Sequence, residues 1–148
     1  MGPGELMISD WVQIPKLKYD LGDGDSFSGF TQVTRLEKDE LWTDALKEIP
    51  YDGIRPIPII DRLLDKIGFK LSYGFWRLNL EDEDENWTIE VYVRLPGPTH
   101  YLTIEHYLND CSRGGVDCLK ISYIHDLQHA FKLCGITKEI ILPYEILD

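Results

Sequence analysis

The amino-acid sequence predicts an α+β fold in two modules. The first is a small curled sheet or barrel over residues 7–57, and the second, over residues 58–148, is an antiparallel sheet with two helices packed on one face. Three observations carry this. Trp87, Ile89, Val91, Val93 and Leu95 alternate with Thr88, Glu90, Tyr92 and Arg94, the period-two pattern of a half-buried strand. Ile59, Ile60, Leu63, Leu64 and Ile67, and later Ile124, Leu127, Ala130, Phe131 and Cys134, recur at the spacing of one helix face. The stretch before Pro58 holds several short extended runs and few helix signals.

Taken in order, Asp10–Ile14 reads as a short strand and Phe30–Leu36 as an alternating one, with the turn formers Asp20–Ser26 between them. Leu41–Ile49 fits either a short helix or a strand and turn. Ile54–Ile57 is extended, because Pro56 keeps Arg55 out of the helical region. The first helix runs to Ile67 and stops at Gly68, which tolerates a left-handed backbone. Its start lacks a cap, since Ile60 has no side-chain oxygen to accept a free amide. Strands are expected over Lys70–Leu80, from Trp87, over His100–Leu108 after the breaker Pro96-Gly97-Pro98, and over Leu119–Ser122. The acidic run Glu81–Glu85 reads as a solvated hairpin loop. A second helix spans about Tyr123–Cys134, and Lys138–Leu142 offers a closing strand.

The formal net charge is −11: residues 1–57 carry eleven acids and six bases, and residues 58–148 fifteen and nine. An acidic excess spread over the whole chain repels phosphate backbones and anionic membrane surfaces, so nucleic acid and membrane are disfavoured partners. No run approaches the roughly 20 apolar residues that span a bilayer. Met1–Glu5 has no basic or apolar leader character, and the three cysteines form no CxxC pair; both point to the cytoplasm. Cys111 and Cys118 flank Ser112–Asp117, read as a hairpin loop, which leaves a disulfide open beside the favoured pair of free thiols.

Pro56-Ile57-Pro58-Ile59, Gly68-Phe69, Tyr123-Ile124-His125-Asp126-Leu127-Gln128-His129-Ala130 and Leu133-Cys134-Gly135-Ile136 resemble an uncharacterised family of gut Bacteroidetes and their phages and mobile elements. Ser9-Asp10-Trp11-Val12 and Gln32-Val33 resemble that family's opening strands. The resemblance implies an SH3-like barrel for the first module and an association with phages or mobile elements, but no activity. Pro58-Ile59-Ile60-Asp61 departs from the Pro-Leu-Thr-Glu usual there, so the family's capping threonine is replaced by Ile60.

Three groups of residues bear on chemistry. His125 and His129 stand at i and i+4 on a helix, the spacing with which two imidazoles share a metal ion. Against a hydrolytic zinc site, Asp126 replaces the longer glutamate base, and only Glu139, Glu145 or a strand residue remains as a third ligand. The helical wheel also turns both rings away from the Ile124/Leu127/Phe131 stripe, toward water. The duller reading is an ordinary exposed pair. His106 shares a strand face with Leu102, Ile104 and Leu108 and reads as a hydrogen-bonded core histidine. Asp20, Asp23 and Asp25 lack the order of a calcium loop and read as a solvated turn. Without a P-loop, G-x-G-x-x-G or G-x-S-x-G motif, no cofactor is expected. The third group is a surface. Tyr92, Arg94, Tyr101, Glu105 and Tyr107 lie on the sheet face opposite the aliphatic one, and Tyr and Arg are enriched where proteins meet.

The expected function is therefore that of a non-enzymatic interaction or accessory protein that binds another protein. The alternatives are a metal-dependent hydrolase using His125 and His129, and an acidic decoy that occupies a nucleic-acid-binding protein.

Overall fold

The computed structural model describes residues 6–15, 29–93 and 99–142. The Asp20–Ser26 turn with Asp20, Asp23 and Asp25, the Pro96-Gly97-Pro98 breaker, Arg94 and Glu145 all lie outside the described residues. The chain divides into two units. One holds the described residues up to Pro58 together with Leu142, and the other is Ile59–Ile141.

The first unit is an antiparallel five-stranded sheet of β1 (Trp11–Ile14), β2 (Gly29–Leu36), β3 (Glu40–Thr43), β4 (Ile49–Pro50) and β5 (Arg55–Pro56). Its order is β4-β3-β2-β1-β5. A 3₁₀ turn, Tyr51–Gly53, precedes β5, which returns to pair with β1. A register shift between Val33 and Arg35 bends β2, so that its first half pairs with β1 and its second with β3. Alternate residues then meet in a core of Leu6, Val12, Ile14, Val33, Leu41, Leu46, Ile49 and Ile54. Leu41–Ile49 resolves as strand and turn. Thr43 decides this: its hydroxyl donates to the Leu46 carbonyl and accepts the Ala45 and Leu46 amides, which competes with a helix. Glu48, at φ 53, then turns the chain into β4.

The second unit holds α1 (Asp61–Ile67), β6 (Lys70–Ser72), β7 (Phe75–Asp82), β8 (Glu85–Val93), β9 (His100–Leu108), β10 (Cys111–Ile121) and α2 (Ile124–Leu133). Its sheet is an antiparallel meander in the order β10-β9-β8-β7-β6. Both helices lie on the face that carries Leu78, Ile89, Val91, Leu102, Ile104 and Ile121. Asp61 at the start of α1 accepts a hydrogen bond from Trp76 of β7, and α2 lines a groove with β10. Burying each fully enclosed Leu, Ile or Phe contributes about 1.5–3 kcal/mol, and Leu63, Leu64, Phe69, Ile89, Leu102, Ile104, Ile121, Ile124 and Leu127 are all of that kind. Helix α1 starts without a side-chain cap at Ile60 and stops at Gly68, whose φ is 121.

Four details differ from the expectations. Lys70–Leu80 is two strands, joined at Tyr73-Gly74, both with positive φ, as a type I′ hairpin turn requires. The hairpin after β9 turns at Asn109-Asp110, again with positive φ, so Cys111 and Cys118 stand on one strand rather than across a loop. Seven residues of strand separate them by roughly 20 Å, far beyond disulfide reach, and both thiols are free and exposed. The expected short strand at Leu119–Ser122 is the end of an eleven-residue strand. Finally, Lys138–Leu142 forms no strand in either sheet among the described residues, although Ile140 and Leu142 are buried.

Candidate functional site

The five strands of the second unit turn alternate side chains away from the helices. Register sets which of these become neighbours. Tyr92 of β8 stands opposite Tyr101 of β9, and Phe75 follows in the same row on β7. The Tyr92 and Tyr101 rings stack with centroids 6.1 Å apart, and Phe75 tilts against Tyr92 at 5.4 Å. Three rings thus cross three strands, in the offset and tilted arrangements that aromatic quadrupoles favour. Phe75 remains 37% exposed, and Tyr92, Tyr101 and Tyr107 are half-buried. The ladder is an aromatic row on an otherwise polar face, with Thr88, Glu90, Thr103 and Glu105 around it.

Hydrogen bonds fix the hydroxyls. Tyr92 Oη lies 3.1 Å from Cys118 Sγ and 3.5 Å from Thr103 Oγ1, and the Thr103 hydroxyl donates to Asp117 at 3.2 Å. Tyr107 donates to Glu105 at 2.9 Å. Arg77 donates twice to one carboxylate oxygen of Glu90, at 3.1 and 2.8 Å. The hydrogen bond with Cys118 is the main reason that the Tyr92 phenol is held above its ordinary pKa; burial and the charge of Asp117 add to it. Donation to the Glu105 carboxylate does the same for Tyr107. Both phenols therefore present neutral rings.

Of the predicted face, the structure brings Tyr92 and Tyr101 into contact and ties Tyr107 to Glu105 farther along the same side. Phe75, Thr103, Asp117 and Cys118 were not foreseen. Phe75 was hidden by reading β6 and β7 as one strand. Asp117 and Cys118, though adjacent, both reach Thr103 because β10 is bulged between Val116 and Leu119, as it is between Ser112 and Gly115. The adjacent glycines Gly114-Gly115 were the available signal for such a bulge.

The histidine pair on α2 is arranged otherwise than its wheel position suggests. His125 is buried, at 5% exposure, while His129 is half-buried. Lying 100° from Ile124, His125 flanks the apolar stripe rather than opposing it, and the Tyr123 ring stacks on it at 5.5 Å. The rings of His125 and His129 are 5.5 Å apart and inclined by 60°. Asp126 is engaged in holding the helix start, its Oδ2 accepting the amides of Ser122 and Tyr123 at 2.9 Å each. Its other oxygen is 3.8 Å from His125 Nε2. Among the described residues no group of three or more His, Cys, Asp or Glu side chains is placed to hold a metal ion. His129 and Asp126 instead line a groove of about 340 Å³ with Leu119, Lys120, Ile121, Ala130 and Leu133.

His106 is half-buried rather than a core residue. It pairs across strands with Trp87, and the two rings stack in parallel at 4.8 Å and 3°. Its Nε2 lies 3.4 Å from the Glu85 carboxylate, outside hydrogen-bond geometry.

No helix among the described residues is long and apolar enough to cross a membrane. No family model matches the chain, and neither does any curated protein or solved structure.

Proposed function

We propose that the chain is a non-enzymatic interaction protein that docks another protein on the open sheet face of its second unit, through Tyr92, Tyr101 and Tyr107. The observation that carries this is the row Phe75–Tyr92–Tyr101, partly exposed on the sheet face opposite both helices. Rigid aromatic rings, two of them with hydroxyls already held (Tyr92 and Tyr107), lose little entropy when covered and supply large contact area, the character of interface anchors. The net charge of −11 favours a protein over a nucleic acid as the partner. The role is accessory and cytoplasmic, associated with phages or mobile elements on the strength of the family resemblance.

The first unit reads best as an SH3-like barrel. The strand order β4-β3-β2-β1-β5, the 3₁₀ turn before β5 and the bend in β2 support this. It serves here as a scaffold reading and assigns no ligand.

The charge also favours a second reading, an acidic decoy that occupies a basic, nucleic-acid-binding protein. Salt separates the two. Tyr92→Ser/Tyr101→Ser in the full chain should lose a partner that the wild type retains, and the wild-type complex should survive high salt. A complex that dissolves as salt screens it, and is indifferent to the tyrosines, identifies the decoy and overturns the docking face.

A further inference from the structure

On the sheet face that carries the helices, register sets Leu80 of β7, Trp87 of β8 and His106 of β9 side by side. The His106 ring covers one side of the Trp87 indole, parallel to it at 4.8 Å. On the other side, toward Leu80, lies a cavity of about 200 Å³. Its walls come from two stretches of chain. Leu80, Glu81 and Asp82 at the end of β7 form one, beside Trp87, and the segment 136–138 after α2 forms the other. Trp87 is only 8% exposed, and its Nε1–H has no hydrogen-bond partner among the described residues. A buried N–H without an acceptor is unfavourable and uncommon. Trp76 shows the ordinary case, donating to Asp61.

The chemistry of the walls narrows what could serve as the acceptor. An indole N–H only donates, so the missing group must accept. Lys138 on the same cavity favours a carboxylate as that acceptor. Glu81 and Asp82 on the facing stretch would repel a simple anion but attract an ammonium. None of these three charges enters an ion pair among the described residues. Leu80 and the buried Ile136 supply apolar wall between the charges. At roughly 30 Å³ per water, the space holds about seven waters, well below the roughly 300 Å³ at which sites for drug-sized ligands begin. The occupant is therefore small, carries both signs of charge and has a short apolar body.

We propose that this cavity binds a free α-amino acid with an apolar side chain. Its carboxylate accepts from the Trp87 Nε1–H and Lys138, its ammonium faces Asp82 and Glu81, and its side chain packs on Leu80 and Ile136. The cavity lies on the opposite side of the sheet from the tyrosine row, so this binding stands whether or not that row docks a partner.

Nuclear magnetic resonance of the full chain tests it, because each indole N–H gives its own signal. Free leucine should move the Trp87 indole signal downfield and saturably, while that of Trp76, already bonded to Asp61, stays in place. Isocaproate, which lacks the ammonium, and isoamylamine, which lacks the carboxylate, should each bind at least about ten-fold more weakly. Lys138→Met and Asp82→Asn, both at exposed positions that leave the core intact, should each weaken leucine about ten-fold. A Trp87 signal that stays still in leucine would overturn the proposal, as would one that isocaproate moves equally well. So would leucine affinity unchanged by both substitutions.

Discussion

Replacing Gly115 by alanine tests the register that builds the open face. An ideal Cβ on Gly115 would stand 1.8 Å from the Ile104 carbonyl oxygen and 2.8 Å from its carbon, where real contacts do not fall below 3.0 Å. Strand β10 would have to retreat from β9 by roughly the 1.2 Å difference (3.0 less 1.8). That loosens the Gly115–Glu105 and Val116–Ile104 pairings and the hydrogen bonds beside them. One or two such bonds contribute about 1 kcal/mol each, and a side chain at φ 144 adds about 1 kcal/mol of strain. The expected loss is about 3 kcal/mol. Gly114 is the control: at φ 91 it carries the strain but has open space around it, so Gly114→Ala should cost only about 1 kcal/mol. Urea unfolding followed by tryptophan fluorescence reads both. If Gly115→Ala costs no more than Gly114→Ala, the register of β10 on β9 is wrong, and with it the placement of Cys118 and Asp117 beside Tyr92.

Other consequences follow from single groups. Partial burial lowers the His100 pKa below its ordinary 6.5, so the fold favours neutral imidazole. Its contribution to stability is therefore full above 6.5 and is lost as pH falls through the folded value; His100→Gln should flatten that part of the stability–pH curve, and an unchanged curve contradicts the burial. Burial also raises the Cys134 thiol pKa, while Cys111 and Cys118 are exposed. A thiol-exchange reagent should thus modify two cysteines quickly and Cys134 slowly, and three equal rates would refute this placement. Asp126→Ala removes the acceptor for the Ser122 and Tyr123 amides and should cost about 1 kcal/mol in thermal or urea unfolding, with no loss expected if the carboxylate held nothing.

The sequence made much of the second unit legible. Strand β9 has its expected limits, α2 lies within one residue of them at each end, and the gaps at Ile60 and Gly68 frame α1 as read. Period-two and helical patterns are strong wherever one face is fully buried, as in Ile89/Val91 and Ile124/Leu127. What escaped depended on single backbone angles. Tyr73 adopts positive φ beside Gly74, and Asn109 and Asp110 do so with no glycine in the turn, so two hairpins were displaced or missed. The bulges of β10 broke its alternation and hid eight of its residues, Cys111–Cys118. On α2, the buried face is wider than the aliphatic stripe, because His125 and Gln128 join it, and a wheel drawn from apolar residues alone turned His125 outward. The tyrosine face was visible as residues but not as contacts, since the order of the strands decides which rings meet.

The docking claim is tested most directly by a photo-activatable benzophenone side chain placed at Thr88, beside Glu105 on the open face, in cells that make the chain. A second position, Lys47 on the first unit, serves as the control. The account predicts one discrete protein adduct at Thr88 that disappears when Tyr92 and Tyr101 are changed to serine. An adduct that persists without those tyrosines, or that forms equally at Lys47, would contradict it.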